Sequence, residues 1–130
     1  MCSCAYVITD ASTMSDEVTF DYVKSLENDK NVLLIDVREP SELEKTGRIP
    51  GSINIPLATL EDTLQNWSEE DFREKFQREK PNSETAMVFS CHMGRRSQAA
   101  LDAAKKMGFI HAKHFPGGWA GWEQETKNAS

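Results

Sequence analysis

The sequence predicts an α/β fold with a mostly parallel central sheet and helices on both faces. Two observations carry this. NVLLIDV and AMVFS are short continuous apolar runs, the pattern of strands buried on both faces. Segments of helical periodicity alternate with them, as in βαβ units, which pack right-handedly onto a parallel sheet. From Val18 onward no repeat, low-complexity tract or linker interrupts the pattern. Residues 18–127 are therefore read as one domain and residues 1–17 as a flexible tail.

Each element has its own signal. FDYVKSLEN places Phe20, Tyr22, Val23 and Leu26 at near-helical spacing and predicts a short first helix. Val32 to Ile35 form the first buried strand, which stops at the acid Asp36. EPSELEKTG offers helix-forming residues and a glycine stop. RIPGSINIPLATL supplies a turn, a strand over Ile53–Ile55 and a helix start at Pro56. Residues 68–80, SEEDFREKFQREK, set Phe72 and Phe76 one helical turn apart on a charged surface, which predicts an amphipathic helix lying on the body. After the AMVFS strand, RSQAALDAAKKMG predicts a helix ending at Gly108, with Ala99, Ala100, Ala103, Ala104 and Met107 on its inner side. HAKHF reads as a further strand, and beyond PGG the pair Trp119 and Trp122 anchors a last helix.

In such a sheet the strand-to-helix loops emerge at the carboxyl edge, where ligands bind. The segments beginning at Asp36, Pro56, Cys91 and Pro116 should converge there, with Asp36 and Cys91 as neighbours on one rim.

Composition narrows the function. A chain of 130 residues buries a core without disulfides or a structural metal. No run approaches the ~18 apolar residues of a membrane span. With 15 Lys and Arg against 21 Asp and Glu, the net charge of -6 disfavours nucleic acid and anionic lipid. An anionic ligand must then be held by local positive charge. Cys2, Cys4 and Cys91 are an odd set, unlike a disulfide framework, and fit a reducing compartment. The first residues have neither the basic start and apolar core of a signal peptide nor the arginines of a presequence. The expected location is the cytosol, with the mitochondrion second, and the expected state is a monomer.

VFSCHMGRRSQ, residues 88–98, concentrates the chemistry. A free cysteine titrates near 8.5, so roughly 3% is thiolate at neutral pH unless its site intervenes. Cys91 precedes a helix whose first turn offers unpaired N–H groups, and Gly94 lets the loop curl into an anion nest. Arg95 and Arg96 add guanidinium charge. Asp36, at the neighbouring strand end, can orient an arginine of the loop or Arg38. An inert core cysteine needs no such cationic cradle. His92 beside Cys91 is read as an entrance residue, not a protease base, and His111 and His114 as structural residues near the last strand. Ser97 either caps the helix or touches sulfur. Trp119 belongs to the core or walls the pocket. Cys2 and Cys4 lack a second cysteine pair to complete a metal site.

LLIDVREPSELEKTGRIPGSINIPL, CHMGRRS and FPGGWAGW, in this order over roughly residues 18–125, resemble the motifs of a rhodanese domain. The similarity is greatest to small thiosulfate sulfurtransferases, including the thiosulfate:glutathione type. It implies a rhodanese-like fold in which Cys91 takes up a sulfur atom, with no cofactor and no metal. Residues His92, Met93, Gly94, Arg95 and Arg96 would line the substrate, supported by Asp36, Arg38, Glu42, Arg48, Ser97 and Trp119. Arg48 departs from the family's usual histidine. The loop from Cys91 to Arg96 is one residue shorter than that of the related phosphatases, which favours sulfur over a tetrahedral oxyanion. The implied reaction is double displacement: thiosulfate or a persulfide gives sulfur to Cys91, and glutathione, cyanide, a thioredoxin-like dithiol or a protein takes it. The alternative is a rhodanese-like interaction or sulfur-carrier module serving a dedicated protein partner.

Overall fold

The computed structural model describes residues 16–129. Expectations for Cys2, Cys4 and most of the tail lie outside these residues. In chain order the elements are α1 (Phe20–Lys24), β1 (Val32–Asp36), α2 (Pro40–Thr46), β2 (Ser52–Asn54), α3 (Leu57–Asn66), α4 (Glu69–Phe76), β3 (Ala86–Ser90), α5 (Arg95–Lys106), β4 (Ala112–His114) and α6 (Gly118–Ala129). The strands form a 4-stranded sheet, ordered β2-β1-β3-β4, and every pairing is parallel. Asp16 and Glu17, counted with the tail in the sequence, already run beside β4. Glu17 bridges His114, and the Asp16 carbonyl accepts from the His114 N–H at 2.8 Å.

The strand pleat sorts the core into two layers. Leu33, Ile35, Met87 and Phe89 face Leu60, Leu64, Phe72, Ala100, Leu101 and Ala104 of α3, α4 and α5. Val32, Leu34 and Val88 face Val23 of α1, Leu26 and Phe115, with Trp119 and Trp122 of α6 packed alongside. All five residues of β1 are buried, which is why its sequence shows a continuous apolar run and no alternation. Each fully buried Leu, Ile or Phe removes apolar area worth about 1.5–3 kcal/mol.

Helix ends explain where the elements differ from expectation. Helix α1 stops at Lys24, because the Ser25 hydroxyl and N–H both turn back onto the Tyr22 carbonyl. Helix α4 starts where the Ser68 hydroxyl accepts from the Asp71 N–H, and it ends at Phe76, four residues short of the expected 80. Gln77 there takes a left-handed φ of 59°, and the following Arg78 reaches the Val32 carbonyl at 2.8 Å. The inner face of α5 is Ser97, Ala100, Leu101 and Ala104. Ala99 is exposed and Ala103 and Met107 are only half-buried, so the stripe is rotated toward Ser97 from the one expected. That rotation brings a hydroxyl under the cysteine loop.

Candidate active site

The carboxyl edge of the sheet gathers the expected segments. Asp36 is in register with Ser90, and the Val37 N–H donates to the Ser90 carbonyl at 2.8 Å, so Asp36 and Cys91 are neighbours on the rim. The N–H groups of Ile55 and Leu57 donate to the carbonyls of Asp36 and Val37, which brings the start of α3 to the same edge. The Pro116 segment closes it from the other side.

Cys91 sits in a curl whose geometry follows from backbone constraints. Gly94 has φ of 99°, a left-handed conformation costly for any residue with a Cβ, and such an atom would lie 2.7 Å from the Pro116 carbonyl oxygen. Gly118 is packed as tightly, since a Cβ there would meet the Cys91 and His92 carbonyl oxygens at 2.4 and 2.6 Å. The start of α6 uses this closeness. The N–H groups of Trp119 and Ala120 donate to the carbonyls of Cys91 and His92 at 2.7 and 3.1 Å. With those carbonyls held outward, the loop's own N–H groups turn inward. The Gly94 N–H lies 3.0 Å from Cys91 Sγ and the Ser97 N–H lies 3.3 Å from it. Donors converging on sulfur at a helix start favour negative charge there. Cys91 itself is 1% exposed, at the floor of the cradle, while His92, Met93 and Arg95 stand on the exposed side of the loop.

Two arginine clasps hold the rim. Arg38 is 1% exposed and chelates Asp36, with Nε 3.1 and 3.0 Å from the two carboxylate oxygens and Nη2 2.8 Å from Oδ2. Its other donors reach Thr46 Oγ1 at 2.9 Å and the Gly47 carbonyl at 3.1 Å, and its guanidinium lies 5.4 Å from the Trp119 ring centre. One buried cation thus ties the end of β1 to the end of α2 and to α6. Asn54 completes the corner by donating to the Asp36 and Arg38 carbonyls, both at 2.9 Å. The second clasp joins Arg96 to Glu42 in a parallel fork, Nη1–Oε1 2.6 Å and Nη2–Oε2 2.9 Å. Arg96's hydrogen bonds hold the Glu42 carboxyl down to about 2 from an ordinary 4.5, against the opposing pull of partial burial, and Glu42 in turn raises Arg96. Glu42 also accepts from the Glu39 N–H at 3.3 Å, so the first turn of α2 fixes the carboxylate that aims Arg96.

The family model for the Rhodanese-like domain matches residues 19–125. The chain belongs to the rhodanese-like family. It is 47% identical over 105 residues to the mouse (Mus musculus) protein named thiosulfate sulfurtransferase/rhodanese-like domain-containing protein 3, covering 81% of this chain and 66% of that one. It is 34% identical over 111 residues to human (Homo sapiens) thiosulfate:glutathione sulfurtransferase, covering 84% and 95% respectively. Among solved structures it resembles the human single domain sulfurtransferase TSTD1, with a TM-score of 0.76, 32% identity and coverage of 85% and 97%. The all-parallel sheet with helices on both faces is the rhodanese-like fold that the motifs implied.

Within this rhodanese-like frame, Cys91, Gly94, Arg96, Ser97, Asp36, Arg38, Glu42 and Trp119 come together as one unit. His92 and Arg95 are exposed at the loop, and Met93 is 72% exposed. Arg48 lies apart, exposed in a groove of about 700 Å³ that follows the free edge of β2 with Thr59, Trp67 and Phe76. Ser97 does not cap α5 with its side chain. Its hydroxyl donates to the Gly94 carbonyl at 3.1 Å and lies 3.6 Å from Cys91 Sγ. His111 is exposed, 4.0 Å from Glu84. His114, read from the sequence as structural, is buried with Nδ1 2.9 Å from Ser97 Oγ. The sequence marked it only as the last residue of a short strand.

Proposed function

We propose that the protein is a sulfurtransferase that carries sulfane sulfur on Cys91. The observation that supports it most is the pair of N–H groups, from Gly94 and Ser97, aimed at a buried free thiol. In the first half-reaction the Cys91 thiolate attacks the outer sulfur of thiosulfate. The new S–S bond forms as the bond to the sulfonate sulfur breaks, and sulfite leaves with the electron pair. The loop donors then face the terminal sulfur of the persulfide and stabilise its charge. In the second half-reaction a glutathione thiolate attacks that terminal sulfur, glutathione persulfide departs, and Cys91 returns as thiolate. Arg96, aimed by Glu42, and the exposed Arg95 attract the anionic donor despite a net charge of -6.

Thiosulfate and glutathione enter this reading through the names of the mouse and human relatives and through the charge of the rim. A reducing compartment, the cytosol first, belongs to the same reading, because the cycle needs Cys91 as a free thiol. Among the described residues no helix is long and apolar enough to cross a membrane. Sulfite release from thiosulfate in the presence of glutathione tests the proposal. Wild type should turn over and Cys91→Ser should not, with the variant's melting temperature unchanged. Turnover in Cys91→Ser would defeat it.

A further inference from the structure

His114 closes β4 and is 3% exposed, enclosed by α5, by β3 and by the Asp16–Glu17 segment. Nδ1 meets Ser97 Oγ at 2.9 Å, whereas Nε2 is buried and has no hydrogen-bond partner among the described residues. That asymmetry selects the tautomer. A buried N–H without an acceptor costs more than an unused lone pair, so the neutral ring carries its proton on Nδ1 and donates it to Ser97. The carboxylates of Glu17, Asp16 and Asp102 favour a charged ring, but burial outweighs them and holds His114 below its ordinary value. Asp16 is also paired with Lys105 of α5. The ring is therefore neutral near neutral pH.

The consequence falls on Ser97. With one lone pair of Oγ occupied by His114, the hydroxyl cannot spend its own proton on the ring. That proton has two acceptors in reach, the Gly94 carbonyl at 3.1 Å and Cys91 Sγ at 3.6 Å. While Cys91 is a thiol, its S–H donates to Oγ and the hydroxyl proton goes to Gly94. Once the thiol proton has passed to solvent, the hydroxyl rotates and donates to sulfur, adding a third donor to the N–H groups of Gly94 and Ser97. We propose that His114 is a positioning residue for the nucleophile, acting through Ser97 so that one hydroxyl serves both the neutral and the charged sulfur. This rests on reading Cys91 as the reactive sulfur, but its test does not require sulfur transfer.

The test uses the full chain carrying Cys2→Ser and Cys4→Ser, so that Cys91 is the only thiol. Iodoacetamide alkylation is timed at neutral pH, alongside thiolate absorbance in the ultraviolet. Ser97→Ala and His114→Phe should each slow alkylation by about tenfold, the effect of one hydrogen bond to a charged group. His114→Asn, which keeps an N–H near the position of Nδ1, should recover to within about threefold of wild type. The double variant Ser97→Ala/His114→Phe should be no slower than Ser97→Ala alone, since one residue acts through the other. Additive slowing, an Asn variant as slow as Phe, or a His114→Phe variant at the wild-type rate would each overturn the proposal. If His114→Phe does not fold, nitrogen NMR of the wild-type ring decides. A proton on Nδ1 is expected, and a proton on Nε2 overturns it. Normal alkylation without sulfur uptake would defeat the transfer reading and leave this one standing.

Discussion

The two clasps of the rim use the same chemistry in different surroundings. Asp36 and Arg38 are each 1% exposed, whereas Arg96 and Glu42 are 35% and 34% exposed. In the buried pair four of the five guanidinium N–H donors are distributed over one carboxylate, one hydroxyl and one carbonyl, and burial keeps the group out of a ligand's reach. The second pair stands about a third open to solvent. The first clasp therefore builds the corner on which the second is mounted, and the second is the one available to an anion. A further bidentate pair joins Arg73 of α4 to Glu79 beyond the helix end; it is exposed at 52% and 78% and serves as the solvated reference.

Breaking the buried clasp should have the largest effect. Arg38→Ala leaves Asp36 buried without its counter-charge, which costs about 3–5 kcal/mol. Thermal denaturation should show a Tm lowered by roughly 10–20 °C. A shift of a degree or two would mean that the corner is held by Asn54 and the helix ends alone.

Arg96→Ala should leave the fold near wild type and act on the donor. Steady-state kinetics should show kcat/KM for thiosulfate lowered by roughly tenfold or more, mainly through KM, as expected for loss of a charge-assisted contact. A loss of kcat at unchanged KM would assign Arg96 to the transition state instead.

Acid acts on the more exposed clasp. Since the Glu42 carboxyl is held down to about 2 from an ordinary 4.5, its pair contributes stability that is fully present above about 4.5 and fades as the pH falls toward 2. Glu42→Gln should lower Tm modestly near neutral pH, with the difference from wild type closing across that acid window. A difference that does not vary with pH would mean that the carboxylate's charge is not what Arg96 uses. The smallest effect belongs to Arg73→Ala, which should leave Tm unchanged within measurement error, because an exposed pair is screened by water and salt.

The sequence made some of this legible and hid the rest for physical reasons. The strand β1 could be read because burial on both faces leaves a continuous apolar run. Asp36 could be placed beside an arginine, of the loop or Arg38, because it ends a strand next to the cysteine loop, and that loop could be read because nucleophile, glycine and arginines lie within six residues. Contacts set by register are different. Ser97 and His114 are 17 residues apart and meet only because β4 pairs with β3 beneath α5. The rotation of α5 toward Ser97 was hidden by its alanines, which look alike on either face. Four polar residues after Phe76 continued a helical composition, yet the left-handed Gln77 ended the helix. Arg48 shows the converse: a charge in the right motif that lies along the β2 edge, away from the cradle.

Sulfur transfer through this site requires that Cys91 accept a sulfur atom. The direct measurement is the intact mass of the reduced protein after brief exposure to thiosulfate, with Cys91→Ser measured alongside. The wild type alone should gain one sulfur atom, discharged on adding glutathione. An unchanged wild-type mass, or an equal gain in Cys91→Ser, would contradict it.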